Sequence, residues 1–252
     1  MLKSFLNSPK IAMDKEKINF PHVSKFINFL AYLTDEKGII EHSIFSIPDP
    51  KEGYCLDDNS RALQVCLRFP EFPITQKLTS LYLKFILSAR SENGFHNDLD
   101  ENYKWEDEGG VNEAFGRAMA ALGETSIKAK NTEQQLTATF VFDQMASFIS
   151  YNISLRTAAQ LIIGLTDRIL FEGKFPTLID YLEQRKRLEN SKIKYRQNAY
   201  RKKIKELADF LIYYYKKNKD KNWFWFENLF SYDNSRIPFS LLKAYISTGE
   251  KK

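Results

Sequence analysis

The stretch GYCLDDNSRALQVCL, residues 53–67, and the stretch LFSYDNSRIPFSLLKAY, residues 229–245, both contain the tetrapeptide Asp-Asn-Ser-Arg. In both, an aromatic residue ends a loop, and an apolar run with helical spacing follows. The repeated context predicts that one kind of loop-to-helix joint is built twice. We expect an Asp or Asn of each copy to cap its helix. Arg61 and Arg236 are expected either to pair with the aspartate three residues before them or to reach a neighbouring loop.

Helical periodicity runs through most of the chain. Between residues 75 and 89, for example, the apolar positions follow an i, i+3, i+4, i+7, i+8 pattern. Few Gly and Pro residues disfavour a fold of many short strands. The pattern predicts an all-α fold of about eight helices, near residues 18–34, 57–69, 75–90, 111–122, 132–149, 154–171, 177–216 (broken or bent) and 234–247.

The connections between these helices alternate in length. Short, proline-broken turns such as residues 69–74 alternate with long connections at residues 38–56, 93–110 and 219–232. We expect small β-hairpins in the first two long connections. The alternation predicts helical hairpins packed side by side, with the elaborate loops gathered at one end. Such loops are where functional residues are enriched.

Length and composition limit the class of protein. The 252 residues are 43% hydrophobic, which predicts a globular chain. We expect an N-terminal tail over residues 1–16 and a single domain over residues 17–252. No apolar stretch is long enough for a membrane span. Two cysteines are too few for a disulfide framework, which favours reduced thiols and a cytoplasmic location. No metal-ligand spacing or Gly-rich phosphate loop occurs, so neither metal nor cofactor is expected.

The net charge of +5 comes from one segment. Residues 185–205 contain ten Lys or Arg and one Glu, so the rest of the chain is slightly acidic. Such a run can bind nucleic acid or an anionic surface. A solvated helix surface is the commoner explanation, and nucleic acid is not the partner we expect.

Two further segments carry groups suited to carbohydrate chemistry. A third joint spans residues 110–123, where Gly116 lets another backbone approach and Arg117 lies near a helix start. An aromatic and acidic cluster, residues 105–108, precedes it. Residues 222–233 bring two Trp, Glu227 and Tyr232 to the second tetrapeptide. Aromatic rings bind sugar faces and carboxylates supply acid and base groups, although a solvated loop and core aromatics are the plainer explanations.

These residues resemble bacterial proteins of the six-hairpin glycosidase superfamily, which are often encoded beside or fused to glycosyltransferases. The similarity rests on GYCLDDNSRAL, FGRAMAALGE and WFWFENLFSYDNSRIPFSLLKAYISTG, and covers residues 38–124 and 222–252. It implies an (α/α)6 toroid of six helical hairpins, with a sugar-binding cleft at the mouth of the inner ring. The family carries Glu-Asp before the Gly-Arg helix start, whereas this chain has Glu113-Ala114-Phe115. Relatives also continue beyond Gly249, so we expect an incomplete or open ring.

The resemblance and the local chemistry together predict a glycoside hydrolase acting on an oligosaccharide or glycoconjugate through two carboxyl groups. The alternative is a non-catalytic glycan-binding or scaffold partner of a glycosyltransferase. An open ring also predicts a homo-oligomer or a partner on its apolar flanks. The candidate acid, base or nucleophile residues are Asp58, Glu106, Asp107, Glu227 and Asp233. The candidate substrate-binding residues are Asp57, Asn59, Arg61, His96, Trp105, Glu113, Arg117, Trp223, Trp225, Tyr232, Asn234 and Arg236.

Overall fold

A computed structural model describes residues 22–174 and 190–250 of the chain. These residues form eight α-helices, six two-residue strands and two short 3-10 segments, Pro50–Glu52 and Ala146–Phe148. The helices are α1 (Val23–Tyr32), α2 (Leu56–Arg68), α3 (Pro73–Ser88), α4 (Glu113–Lys128), α5 (Thr132–Met145), α6 (Leu155–Lys174), α7 (Asn190–Asn218) and α8 (Arg236–Thr248).

The prediction of an all-α fold with about eight helices is confirmed. Most helix bounds differ from the predicted ones by only a few residues, as expected for assignments from periodicity. The predicted tail, residues 1–16, and the predicted helical stretch 177–189 lie outside the described residues.

The six strands pair in antiparallel couples within the long connections. β1 (Ser43–Ile44) pairs with β2 (Ile47–Pro48), and β4 (Arg90–Ser91) pairs with β5 (Gly94–Phe95). These two couples are the small hairpins expected from the sequence. A third couple joins distant segments, since β3 (Tyr54–Cys55) pairs with β6 (Asp98–Leu99). It fixes the loop after α3 beside the start of α2.

The helices form two rows. Consecutive even-numbered helices pack on each other in the order α2, α4, α6, α8, and α3, α5 and α7 pack against them from outside. We call α2, α4, α6 and α8 the inner helices. From Ala114 to Ser126, every residue of α4 is buried. The starts of the inner helices lie at one end, because side chains from all four starts contact one another there. We call this end the mouth.

The closest contact in the inner row lies between α4 and α6. A Cβ on Gly123 would lie 2.5 Å from the backbone oxygen of Gly164, and a Cβ on Gly164 would lie 2.5 Å from that of Met119. A Cβ on Gly116 would lie 3.1 Å from Thr157 Cα, so the expected close approach at Gly116 is confirmed. Glycine at these positions lets the two helix backbones touch.

The capping prediction for the tetrapeptides is wrong. Helix α2 starts at Leu56, and the thiol of Cys55 accepts from the backbone N–H of Asp58 at 3.4 Å. Strand β3 ends at Cys55, so the strand pairing places Asp58 inside the helix. At α8 the N-cap is Ser235, with no side-chain cap hydrogen bond. Asp233 has a left-handed backbone, with φ of 54°.

Cys55 and Cys66 are both free and buried, as expected from their number. In the part of the chain that the structure describes, no helix combines the length and the apolar character needed to cross a bilayer.

Residues 190–205 of the basic segment lie in the first half of α7, and several of their cations are paired. Arg196 lies 2.7 Å from Asp143, and Lys205 pairs with Glu250.

Candidate functional site

Arg117 joins the two tetrapeptide segments at the mouth. Its Nη1 donates to Asp233 Oδ2 at 2.8 Å, and its Nε lies 2.7 Å from Asp57 Oδ1. The second contact is an ion pair without hydrogen-bond direction, because the Nε–H does not point at the oxygen. The side chain of Arg117 is 6% exposed. An arginine of α4 therefore reaches both the start of α2 and the loop before α8.

The first tetrapeptide also pairs within its own helix. Arg61 Nε lies 3.1 Å from Asp57 Oδ1, and Arg61 Nη1 lies 3.9 Å from Asp58 Oδ1. Burial raises the pKa of Asp57, against the opposing charges of Arg117 and Arg61. Asp58 is freer than Asp57, since its side chain is 35% exposed and its arginine contact is long.

Glu227 is held by an arginine that the sequence analysis did not single out. Arg156, at the start of α6, donates from Nη1 and Nη2 to the two oxygens of Glu227 at 2.9 and 2.8 Å. This two-pronged bond raises the pKa of Arg156. Arg156 Nε also donates to the backbone oxygen of Tyr232 at 2.8 Å, and its guanidinium lies 4.6 Å from the centre of the Tyr232 ring. The Arg156 pair fixes the loop that precedes the second tetrapeptide.

Glu113 and Tyr232 form a second link across the mouth. The hydroxyl of Tyr232 donates to Glu113 Oε2, and Ser154 Oγ donates to Glu113 Oε1 at 3.0 Å. Burial raises the pKa of Tyr232, as does this hydrogen bond. Tyr232 nevertheless remains 54% exposed, so its ring is available at the surface of the mouth.

Asp107 organises the loop between β5 and α4. Its Oδ2 accepts from the backbone N–H groups of Asn97 and Asp98 at 2.7 and 2.9 Å, and its Oδ1 accepts from that of Gly109 at 2.6 Å. Burial alone would raise the pKa of Asp107, but these three bonds and the nearby His96 hold it below its ordinary value. His96 Nδ1 lies 2.6 Å from the backbone oxygen of Asp107. Asp107 therefore lies in a tight hydrogen-bonding position within the loop.

The tryptophans predicted to bind substrate pack against other protein groups. Trp105 stacks on His96 with ring centres 5.2 Å apart. Trp223 Nε1 donates to the backbone oxygen of Glu227 at 2.6 Å. Trp225 packs on Phe226 and Phe230, and its buried Nε1 has no hydrogen-bond partner in the described structure. The carboxylate of Glu106 is exposed on the same loop as Trp105.

The two asparagines of the tetrapeptides are occupied within the fold. Asn59 is fully buried, with Nδ2 donating to Cys55 O at 2.8 Å and Oδ1 accepting from the backbone N–H of Ile39 at 3.2 Å. Asn234 accepts from and donates to the backbone of Ser231. Neither amide points freely into the mouth. The aspartates and arginines of the repeat come together there, and its asparagines hold local turns.

Sequence analysis missed three residues that the structure brings to this region. Arg156 pairs with Glu227, and the amide of Gln160 donates to Asp233 Oδ2 at 3.1 Å. The third is Glu41. Burial and the negative charges of Asp58, Asp98 and Glu52 raise its pKa, and the neighbouring His42 lowers it by a smaller amount. The sequence could have pointed to Arg156, because each of the four inner helices has an arginine in its first two turns. Arg156 is the one in α6. Gln160 and Glu41 had no comparable local signal.

The described residues contain no group of three His, Cys, Asp or Glu side chains placed to hold a metal ion. Comparisons of the chain with protein-family models, curated proteins and solved structures found no match. The similarity to six-hairpin glycosidases therefore stays a prediction from the motifs.

Proposed function

We propose that the mouth binds a carbohydrate and that its arginine-paired carboxylates act in binding rather than in catalysis. The observation that carries this proposal is the pairing of Asp233 with Arg117 and of Glu227 with Arg156. Both oxygens of Glu227 and one oxygen of Asp233 already accept from a guanidinium, so neither group is placed to give a proton to a leaving group. The same oxygens can still accept hydrogen bonds from sugar hydroxyls.

An exposed aromatic surface supports a sugar ligand over other polar ligands. The Tyr232 ring lies over Arg156 and beside Glu113, with half of its surface open to solvent. Amphipathic rings pack on the apolar face of a pyranose while their neighbours bond its hydroxyls. Tyr103, 48% exposed on the loop before Trp105, offers a second ring. Within this proposal, the ligand is a cytosolic oligosaccharide or glycoconjugate, and a glycosyltransferase is the natural partner.

Hydrolysis is the second candidate, and Glu41 is the observation that favours it. A general acid needs a raised pKa, and burial beside Asp58, Asp98 and Glu52 gives Glu41 one. Asp58 carries no close arginine, since its nearest guanidinium nitrogen is 3.9 Å away. Glu41 would protonate the leaving oxygen, and Asp58 would activate water or attack the anomeric carbon.

One experiment separates the two candidates. The purified chain is titrated with a glycan panel by calorimetry and assayed for hydrolysis of the glycans and of nitrophenyl glycosides. Glycan binding without turnover in the wild type supports the binding function and excludes hydrolysis of that panel. Turnover that is lost in Glu41→Gln and Asp58→Asn, with binding retained, establishes the hydrolase instead.

A matched control removes a carboxylate far from the mouth. Glu71 is exposed in the connection between α2 and α3, at the opposite end of the inner row. We expect Glu71→Gln to match the wild type in both assays, and Tyr232→Ala to weaken binding by roughly tenfold through loss of the aromatic surface. Absence of any glycan binding by a folded wild-type chain would reject both candidates.

A further inference from the structure

Arg236 carries a positive charge with few partners. Its Nε lies 3.7 Å from Asp233 Oδ1, which is beyond hydrogen-bond distance, and its side chain is only 23% exposed. Burial lowers the pKa of Arg236, and the positive charges of Arg68 and Arg117 lower it further, against Asp233 and Glu124. A guanidinium has five N–H donors, so most of those on Arg236 lack a protein acceptor within the described residues.

The neighbouring carboxylates are already bound by other groups. Asp233 Oδ2 accepts from Arg117 and from Gln160. Glu124, a buried residue of α4, accepts from Lys128 Nζ at 2.6 Å and from Gln64 Nε2 at 2.8 Å. Within the described residues, neither carboxylate accepts a hydrogen bond from Arg236, whose contact with Asp233 Oδ1 is 3.7 Å long.

Arg68 is a second arginine with weak contacts on this face. Its Nε and Nη2 lie 3.4 and 3.5 Å from the oxygens of Glu124, at the long end of hydrogen bonding. Its side chain is 44% exposed, so a molecule in solution can reach it. Arg68 is the last residue of α2 and Arg236 the first of α8, yet their side chains lie close enough that the positive charge of Arg68 lowers the pKa of Arg236.

A second, independent observation comes from Gln160, which contacts the same aspartate, Asp233, that lies nearest Arg236. It is 2% exposed, and its Nε2 must face the Asp233 carboxylate in order to donate to it. Its Oε1 is consequently turned away from Asp233 and has no hydrogen-bond partner in the described part of the chain. A buried acceptor without a partner costs free energy unless a ligand donor satisfies it.

We propose that Arg68 and Arg236 bind the anionic group of an acidic sugar, with Gln160 Oε1 accepting from one of its hydroxyls. The ligand class is a sugar with a carboxylate, phosphate or sulfate group, and this assignment rests on the carbohydrate-binding function proposed above. Guanidinium forks match the oxygen pairs of such groups. A bound anion also offsets the repulsion between the two arginines, and its affinity falls with added salt.

The test is calorimetric titration of the folded chain with three kinds of probe: uronate-containing oligosaccharides, their neutral counterparts, and inorganic phosphate. We expect the acidic oligosaccharides to bind at least about tenfold more tightly than the neutral ones. Arg236→Gln and Arg68→Gln should each lose about tenfold or more of the affinity for acidic oligosaccharides. Arg90→Gln removes an exposed guanidinium on β4 and should change nothing.

Stability measurements separate a binding role from a structural one. Because Arg236 is largely buried and its ion pair with Asp233 is long, we expect Arg236→Gln to unfold at the same temperature as the wild type or a higher one. Loss of affinity without loss of stability supports the anion site. Should Arg236→Gln fail to fold, the half-exposed Arg68→Gln and the charge-preserving Arg236→Lys still decide the question through their affinities.

The three probes distinguish the possible failures. Equal affinity for acidic and neutral oligosaccharides, unchanged in Arg236→Gln, would overturn the anion site and leave the carbohydrate-binding function standing. Phosphate binding that is lost in Arg236→Gln, with no oligosaccharide bound, would support the anion site and overturn the carbohydrate function. A folded chain that binds none of the probes would overturn both.

Discussion

Arg117 Nη1 donates to Asp233 Oδ2 over 2.8 Å, although the two residues are 116 positions apart in the sequence. The contact ties the middle of the inner row to the loop that starts its last helix. Asp57 binds the same guanidinium from the other side. One buried arginine therefore sets the spacing of three helix starts, and the geometry of the mouth depends on it.

We expect Arg117→Gln to lower the free energy of unfolding by roughly 2–4 kcal/mol. The change leaves two partly buried aspartates without their shared cation. The loss of unfolding free energy is smaller than for a fully buried ion pair, because both aspartates keep some exposure to solvent. Chemical denaturation measures it. Arg61→Gln is the control, since Arg61 is half-exposed and should cost no more than about 1 kcal/mol. Equal losses in the two variants would contradict the central role of Arg117.

The backbone at Asp233 predicts a difference between two substitutions. At φ of 54°, Asp233 adopts a left-handed conformation that Asn tolerates better than Ala. Both Asp233→Asn and Asp233→Ala remove the charge that Arg117 binds, so they share that loss. We expect Asp233→Ala to be less stable than Asp233→Asn by about 1 kcal/mol in chemical denaturation. Identical stabilities would show that the left-handed turn carries no strain.

Asp107 predicts a pH-dependent contribution to stability. Its folded-state pKa lies below the ordinary 3.8, because backbone N–H bonds and His96 outweigh the effect of burial. The ionised carboxylate therefore stabilises the fold above pH 3.8, and this contribution is lost as the pH falls through the lowered pKa.

The variant that tests this is Asp107→Asn. We expect its free energy of unfolding at pH 7 to be about 1–3 kcal/mol below that of the wild type. The gap between the two should narrow on acidification toward pH 2. Glu108→Gln, an exposed neighbour on the same loop, is the control. A gap that stays constant from pH 7 to acid would mean that the charge of Asp107 does not matter.

The glycine contact between α4 and α6 predicts a backbone clash. Alanine at position 164 places a methyl group 2.5 Å from the backbone oxygen of Met119, so the helices must separate. We expect Gly164→Ala to destabilise the chain by about 1–3 kcal/mol, although alanine otherwise favours a helix. At Gly110 nothing lies within 4 Å of the added Cβ, so Gly110→Ala should change stability by no more than about 0.5 kcal/mol. Thermal unfolding of both variants tests the contrast.

Periodicity in the sequence predicted the helices well because burial of an apolar face is a local pattern. It failed at the helix starts. Whether Cys55 or Asp58 caps α2 depends on strand β3, in which Cys55 pairs with Asp98 of β6, 43 residues further along the chain. Pairing between segments so distant leaves no trace in the residues around the cap.

In the candidate site, too, local contacts could be predicted from the sequence and contacts between distant segments could not. Pairing of Arg61 and Arg236 with the aspartate three residues before them was one of two roles expected from the spacing, and the structure has it only as long contacts of 3.9 and 3.7 Å. The shorter contacts of Asp233 run to Arg117 and Gln160, which come from other helices. A repeated motif indicated where the mouth lies. Which groups are already bound there depends on helix packing, which a single sequence does not reveal.

The glycine contact between α4 and α6 also has a mechanical consequence. Two helices whose backbones touch cannot slide or separate without breaking many close contacts at once, so α4 and α6 form one stiff unit. Helices α2 and α8 are attached to its two sides through longer side chains, with salt bridges at the mouth. If the mouth widens to admit a ligand, α2 and α8 move relative to the α4–α6 pair. The ion pairs of Arg117 and Arg156 must then lengthen or break.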